Sequence, residues 1–496
     1  MTDEQRQASA DGEEVIVMED DNMFGREFDG LDELIILGLS GAASRSGQDA
    51  ELAGALSGAD RRALAALGEP REFVRRVLAR ANDEALRSTI TGEVERETVG
   101  EADRAGVGES DHDPQEFQDL MAAYESWQSR KQVGWSCEFR MLEELGRGGQ
   151  GIVYLIECLD KFLDKMALKV FSPELYGSRR VYERKMDRSA EVARIVKKIR
   201  HDNLLQVERF KEHDGCFVMV MELIAGFDLE YMLLPRVVSD LKEWLTRNDA
   251  EAWRKLSRVV YGPRGATRWG LQPGVAVKII EACLRGLDAL HDQEIVHCDI
   301  KPSNIMINCH GSVKLIDIGS AFQMSSSAEK PAYTPRYAPP EVLEGGDWTT
   351  KSDLASLGYV LVELLSGQPD ALVETSAGEA KLLHVPLDSE SVDALDQPTR
   401  AKLTDAKWSL PSRLAKLIPE KAQRSERLIT LCNRLIDPNP AKRFFSAADA
   451  ISGPHGTHEF LSELKTANLA VYWPLDLEYW VTRVEAAKAK TSQSMI

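Results

Sequence analysis

Four short segments of the 496-residue chain carry residue types that could do chemistry, set among apolar runs. The segment Ile295-Val296-His297-Cys298-Asp299-Ile300-Lys301-Pro302-Ser303-Asn304-Ile305-Met306 gathers a proton acceptor, a cation and a metal-binding amide on one loop. Eighteen residues past Asp299, Val313-Lys314-Leu315-Ile316-Asp317-Ile318-Gly319 sets a carboxylate at the end of an apolar strand. That placement suits a hard, oxygen-liking cation such as Mg2+. Upstream, Gly146-Arg147-Gly148-Gly149-Gln150-Gly151-Ile152-Val153 lies between two strand patterns. Glycines there let a hairpin backbone fold over phosphate oxygens and offer its N–H groups to them. The run lacks the Gly-Lys-Ser/Thr ending of a P-loop, and a strand rather than a helix follows, which disfavours a P-loop and a dinucleotide site alike. Eighteen residues after Gly151, Met166-Ala167-Leu168-Lys169-Val170 places a lysine inside an apolar strand. Either it has anionic partners or it snorkels from an edge strand. Each piece alone also reads as a common turn or edge; together, in this order, chance is a poor explanation.

The elements that must position these residues follow from periodicity. A helix is expected over Glu116–Lys131, then strands at Met141–Leu145, Ile152–Glu157, Met166–Phe171 and Phe217–Leu223, with long helices dominating after Val275. A strand-rich part before a helix-rich part implies two lobes with a cleft between them. The formal charge is −19, but residues 1–113 hold 27 Asp/Glu against 12 Arg and no Lys. The excess acid is therefore local. The overall field disfavours polyanion binding, less so for the part after residue 113, and nucleic acid is not expected as a partner. Segments 1–30 and 91–113 read as self-repelling and flexible, while Ala50–Leu67 and Glu69–Arg80 have the spacing of a small helical module. No run reaches the ~20 apolar residues of a membrane span. The start Met-Thr-Asp-Glu lacks a secretory pattern, and seven scattered cysteines without a CxxC suggest a reducing cytoplasm.

The chain resembles the eukaryotic-type serine/threonine protein kinase family from about Phe139 to about Phe460. The Gly-rich loop, strand lysine, catalytic loop and Asp-x-Gly site occur in the family's order. Later marks agree: Thr334-Pro335-Arg336-Tyr337-Ala338-Pro339-Pro340-Glu341 is similar to the end of an activation segment. Ser352-Asp353-Leu354 is similar to the start of the buried central helix, and Asp437–Arg443 to the loop whose arginine pairs with the Pro-Glu glutamate. The resemblance implies an α+β, two-lobed kinase-like fold, with a small antiparallel-sheet N-lobe carrying an αC helix and a large, mostly helical C-lobe. It implies an acidic extension over 1–115, partly helical or disordered, and a kinase domain over 116–466. The lobes divide at about 225/226, and a tail, 467–496, packs on the C-lobe. It further implies that ATP and Mg2+ are used to phosphorylate Ser/Thr hydroxyls of proteins, the chain itself among them. Gly146, Gly148, Gly151 and Val153 then cover the nucleotide, and Lys169 binds the α/β-phosphates, paired with an αC glutamate for which Glu191 fits best and Glu183 is the alternative. Met221, Glu222 and Ile224 offer hinge backbone to adenine, and Asp228 either bonds the ribose or caps a helix. Asp317 and Asn304 hold Mg2+, Asp299 takes the hydroxyl proton, and Lys301 steadies the transferred phosphoryl. Lysine at position 301 is what serine/threonine-specific members carry.

Departures from the pattern are informative. Cys298 stands where many members have an arginine that reads an activation-segment phosphate, so control through Ser325, Ser326 or Ser327 is not expected, and the cysteine is read as structural. Ile318 replaces the usual phenylalanine and keeps an apolar plug. An insertion, 235–273, mixes Trp244, Trp253, Tyr261 and Trp269 with basic residues; it reads as a docking face or, more simply, as an extra subdomain tucked on the large lobe. The acidic segment could contact the kinase domain as a tethered inhibitor. Two rival readings are a pseudokinase scaffold and a small-molecule phosphotransferase.

Overall fold

The computed structural model describes residues 114–129, 139–159, 164–264, 268–325, 331–368, 397–466 and 473–493. The acidic segment 1–113 with its expected helical module, and Ser326 and Ser327, lie outside the described residues.

Helix α1 (Pro114–Ser129) buries Leu120, Tyr124 and Trp127, a spacing of four and three that puts them on one face. That face meets the outer side of a five-stranded antiparallel sheet. Its strands are β1 (Phe139–Gly148), β2 (Gly151–Cys158), β3 (Lys165–Phe171), β4 (Val207–His213) and β5 (Cys216–Glu222), in the order β1-β2-β3-β5-β4. The Tyr154 hydroxyl donates to the Trp127 carbonyl at 2.6 Å, so the helix is hydrogen-bonded to the sheet as well as packed on it. Between β3 and β4 runs α2 (Arg179–Val196), started by Ser178, whose hydroxyl accepts from the Val181 N–H. Tyr182, Met186, Ser189, Val192, Ala193 and Val196 form its buried stripe, facing β4 and the turn at 318–320.

A short extended hinge leads to β6 (Gly226–Asp228) and α3 (Leu229–Leu233). Gly226 must be glycine, because a Cβ would lie 1.9 Å from the Ile307 carbonyl oxygen. The inserted residues form α4 (Pro235–Asn248), α5 (Ala250–Val259) and the hairpin β7 (Tyr261–Arg264) and β8 (Arg268–Leu271). Trp253 and Trp269 meet edge to face at 5.2 Å, and the Tyr261 hydroxyl donates to the Met232 carbonyl at 3.1 Å. Trp253 and Tyr261 are buried where this stretch packs on the large lobe, and Trp244 and Trp269 are half-buried. Next come α6 (Pro273–His291), β9 (Ile295–Val296), β10 (Ile305–Asn308), β11 (Val313–Leu315) and β12 (Phe322–Gln323). β10 lies between β6 and β11, and β12 pairs with β9. The large lobe is built around α6 and α7 (Thr350–Ser366), the latter entered through a Thr349/Ser352 capping box and left through Gly367 at φ +64°. Helices α8 (Gln397–Leu417), α9 (Glu426–Ile436), α10 (Ala447–Ser452) and α11 (Thr457–Thr466) surround that pair. None of the described helices is long and apolar enough to cross a membrane.

Helix α12 (Trp473–Gln493) packs against α4, α5 and α6. Trp480 is fully buried with its ring 5.6 Å from that of Phe227, and the Lys488 ammonium sits 4.3 and 4.0 Å from the Phe227 and Tyr231 rings. A second long-range lock joins Glu341 and Arg443. Both guanidinium nitrogens reach the carboxylate, at 2.6 and 2.8 Å, while Nε donates to the Asp437 carbonyl. Arg443→Ala would leave a largely buried carboxylate uncompensated, and should cost about 3 kcal/mol, the low end for a broken buried pair since Glu341 is 22 % exposed. A urea midpoint unchanged from wild type would contradict this. Trp480→Ala should cost about 3–5 kcal/mol in the same measurement; an unchanged midpoint would mean that α12 adds nothing to the stability of the lobe it covers.

Candidate active site

The catalytic loop leaves β9 and is held from below by one carboxylate. Asp353, at the start of α7, has no exposed surface and accepts from the amides of His297 and Cys298 at 2.8 and 2.9 Å and from His291 Nε2 at 2.9 Å. These bonds fix Cys298 at φ +68°, a conformation that costs a non-glycine residue about 1 kcal/mol or more. Burial foremost, and then the neighbouring Asp353 charge, push the Cys298 thiol well above its ordinary range, so it is an inert structural group. His297 is likewise buried. Its Nε2 donates to the Ile316 carbonyl at 3.1 Å while Nδ1 accepts from the Asp299 amide at 3.4 Å, tying the loop to the backbone just ahead of Asp317.

Above that base, Asp299, Lys301, Asn304 and Thr334 form one cluster. Asn304 Nδ2 donates to the Asp299 backbone oxygen at 2.8 Å and to Oδ2 at 3.0 Å, so the Asn304 amide oxygen is the atom it can offer to a cation. Lys301 Nζ is 3.0 Å from Asp299 Oδ2. Thr334 donates to Asp299 Oδ1 from its hydroxyl at 2.7 Å and from its amide at 3.1 Å, and the same hydroxyl accepts from Lys301 Nζ at 3.0 Å. Sequence reasoning identified the segment containing Thr334 but not this contact; its one signal is the position just before Pro335.

The second cluster spans the cleft. Lys169 stands on β3 opposite Val153 of β2, is 5 % exposed, and binds both oxygens of Asp317 at 2.7 and 2.8 Å. Burial alone would raise the Asp317 carboxyl. The Lys169 charge and hydrogen bonds, including one from the Gly319 amide, outweigh it and hold the group below the ordinary carboxylate range. It is therefore ionised at neutral pH. Asp317 itself sits at φ +60°. The turn of the Gly-rich hairpin closes over this pair, with Gln150 bonded to Lys169 Nζ at 2.9 Å and to Ser320 Oγ at 3.1 Å. Gly151 needs its glycine, with φ +143° and a would-be Cβ 1.9 Å from the Val170 oxygen, whereas Cβ atoms at Gly146 and Gly148 would meet nothing within 4 Å. Asp317 and Asn304 offer two oxygens to a cation. Mg2+ fits so small a set, because it keeps several waters and completes its shell with phosphate oxygens.

Two expectations need correction. Glu191 does not pair with Lys169: it is exposed on α2, off the stripe that faces the sheet. Glu183 does not replace it, being bound to Arg179 at 2.7 Å. The ammonium finds Asp317 and Gln150 instead. Asp228 acts as the N-cap of α3, accepting from the Tyr231 amide at 2.7 Å, with its carboxyl raised by burial; of its two readings the cap is the one observed. At the hinge, Met221 is the end of the buried β5 run. The Glu222 carboxylate accepts from Lys314 Nζ and from the Gln206 amide, both at 2.7 Å. Leu223 and Ile224 follow β5 outside regular secondary structure and are half-buried.

The family model for the protein kinase domain matches residues 139–455. The chain is 31% identical over 238 residues to the serine/threonine-protein kinase PrkC of Bacillus subtilis, a match covering 47% of this chain and 31% of that protein. It is 26% identical over 321 residues to the serine/threonine-protein kinase PknD of Mycobacterium tuberculosis, covering 64% and 39%. The matched stretch thus spans between 31% and 39% of the length of these relatives. A solved structure of the Mycobacterium tuberculosis PknI kinase domain is similar at a TM-score of 0.41 and 22% identity, covering 64% of this chain and 94% of that one. With five antiparallel strands over a helical lobe and a family match across well over half its length, the chain belongs to the protein kinase family.

Proposed function

We propose that the chain is an ATP- and Mg2+-dependent serine/threonine protein kinase whose catalytic unit runs from about residue 116 to 466. The observation that carries this reading is the position of the Thr334 hydroxyl, held 2.7 Å from Asp299 Oδ1 and 3.0 Å from Lys301 Nζ. A threonine oxygen already lies between a carboxylate that can take its proton and an ammonium that can offset charge on a transferring phosphoryl group.

A substrate Ser or Thr hydroxyl bound beside Thr334 would hand its proton to Asp299 as its oxygen bonds to the γ-phosphorus and the bond from phosphorus to the ADP oxygen breaks. Lys301 stabilises the charge on the transferred group. Lys169 turns from Asp317 to the α/β-phosphates, freeing the carboxylate. Asp317 and the Asn304 amide oxygen would hold Mg2+, which would supply charge neutralisation at the phosphates. The Gly-rich hairpin closes over the nucleotide and excludes water. Autophosphorylation belongs to the same reading, and Ser325, exposed in the segment after β12, is one acceptor it would offer. The six described cysteines are all free thiols, which fits a reducing, cytoplasmic setting.

Asp299→Ala should lower turnover by about 10²–10⁴ while leaving ATP affinity nearly unchanged. Phosphate transfer from labelled ATP to a protein substrate, with nucleotide affinity measured in parallel, checks both halves. A large loss of nucleotide binding would mean that Asp299 has another role. Asp317→Ala should abolish transfer; equal labelling by this variant and wild type would sink the proposal. Turnover of a small alcohol without labelling of any protein would favour a small-molecule phosphotransferase.

A further inference from the structure

We infer that Gln150 is the positioning residue for Lys169, taking the place of a carboxylate on α2. The inference rests on the proposed reading in which Lys169 receives the nucleotide phosphates. Lys169 Nζ has two hydrogen-bonding partners, the Asp317 carboxylate and Gln150 Oε1 at 2.9 Å. The carboxylates of α2 are directed elsewhere: Glu183 binds Arg179, while Asp187 and Glu191 are exposed. The buried stripe of α2 includes Met186 and Ser189 and holds no carboxylate, and the Ser189 hydroxyl donates back to the Lys185 carbonyl.

Asp317 cannot be the lasting partner. Once it turns to a cation, the bidentate contact to Lys169 is given up, and the Gln150 bond is what still aims the ammonium. The amide is itself aimed. Gln150 Nε2 donates to Ser320 Oγ at 3.1 Å, a side chain that is 1 % exposed, and the Gln150 carbonyl accepts from the Ser172 amide at 3.0 Å. An ammonium can only donate, so the oxygen end of the amide must face Lys169. The fit is close: a Cβ on Gly319 would lie 2.6 Å from Gln150 Oε1 and 3.2 Å from Lys169 Nζ. A neutral amide also differs electrostatically from a carboxylate. It orients the lysine without cancelling its charge, so the full positive charge stays available to phosphate. Orientation of Lys169 is thereby coupled to closure of the hairpin turn rather than to the placement of α2.

The test compares binding of ATP with Mg2+ and of adenosine to the full chain and to three variants, by calorimetry. Gln150→Ala should weaken ATP about tenfold, the scale for a lost hydrogen bond to a charged group, and leave adenosine within about twofold of wild type. Gln150→Glu, which restores an oxygen at the same reach, should recover most of the loss. Glu191→Ala should bind ATP as wild type does. The inference is overturned by wild-type ATP binding in Gln150→Ala, by equal losses for ATP and adenosine, or by a Glu191→Ala loss as large as that of Gln150→Ala. A wild-type chain that binds no ATP would overturn the proposed function as well, whereas an active wild type with an indifferent Gln150→Ala would remove this inference alone.

Discussion

The site depends on a buried carboxylate that touches no reacting atom. Asp353 lies at the first turn of a helix buried along its length and collects two consecutive backbone amides and an imidazole. A carboxylate can be buried at tolerable cost when its oxygens are filled by such donors. Filled in this way, it holds Cys298 in a left-handed conformation, and that reversal points Asp299 up into the cleft. His297 carries the constraint onward, since one ring nitrogen meets the Asp299 amide and the other the Ile316 carbonyl. Both acids of the site, Asp299 and Asp317, are thus referenced to α7 within a few bonds.

From that base the structure separates into two charge clusters with different stiffness. Asp299, Lys301, Asn304 and Thr334 belong to the large lobe and satisfy one another in a buried setting. The Lys169–Asp317–Gln150 cluster joins the two lobes, with contributions from β3, the β1–β2 turn and the segment after β11. On the proposed reading the first cluster is built for the reacting hydroxyl and changes little during turnover. The second must open, because its lysine and its carboxylate are each other's partners until nucleotide and metal separate them.

Much of the first cluster was legible because its members lie within a few residues on one loop, where spacing alone determines which side chains converge. Lys169 and Asp317 were legible for a related reason: a charge inside an apolar strand, or at its end, stands out, and the family pattern then supplied the role of each. Glu191, expected from the family pattern, is off the buried face of its helix. Tyr182, Met186, Ser189, Val192, Ala193 and Val196 make the buried stripe at helical spacing, and residue 191 falls outside it. Gln150 and Thr334 were hidden for another reason. Gln150 meets Lys169 and Ser320, 19 and 170 residues away, Thr334 meets Asp299, 35 away, and such side-chain reach leaves no periodic trace. The Glu341–Arg443 lock is as remote in sequence, yet a resemblance to a known pattern supplied what spacing could not.

The central claim is that this site moves a phosphoryl group onto serine or threonine oxygens. Mass-spectrometric mapping of the full chain and a protein substrate after incubation with ATP and Mg2+ tests it most directly. The account predicts phosphoserine and phosphothreonine that depend on the metal. Phosphate found on tyrosine alone, or on no residue of either protein, would contradict it.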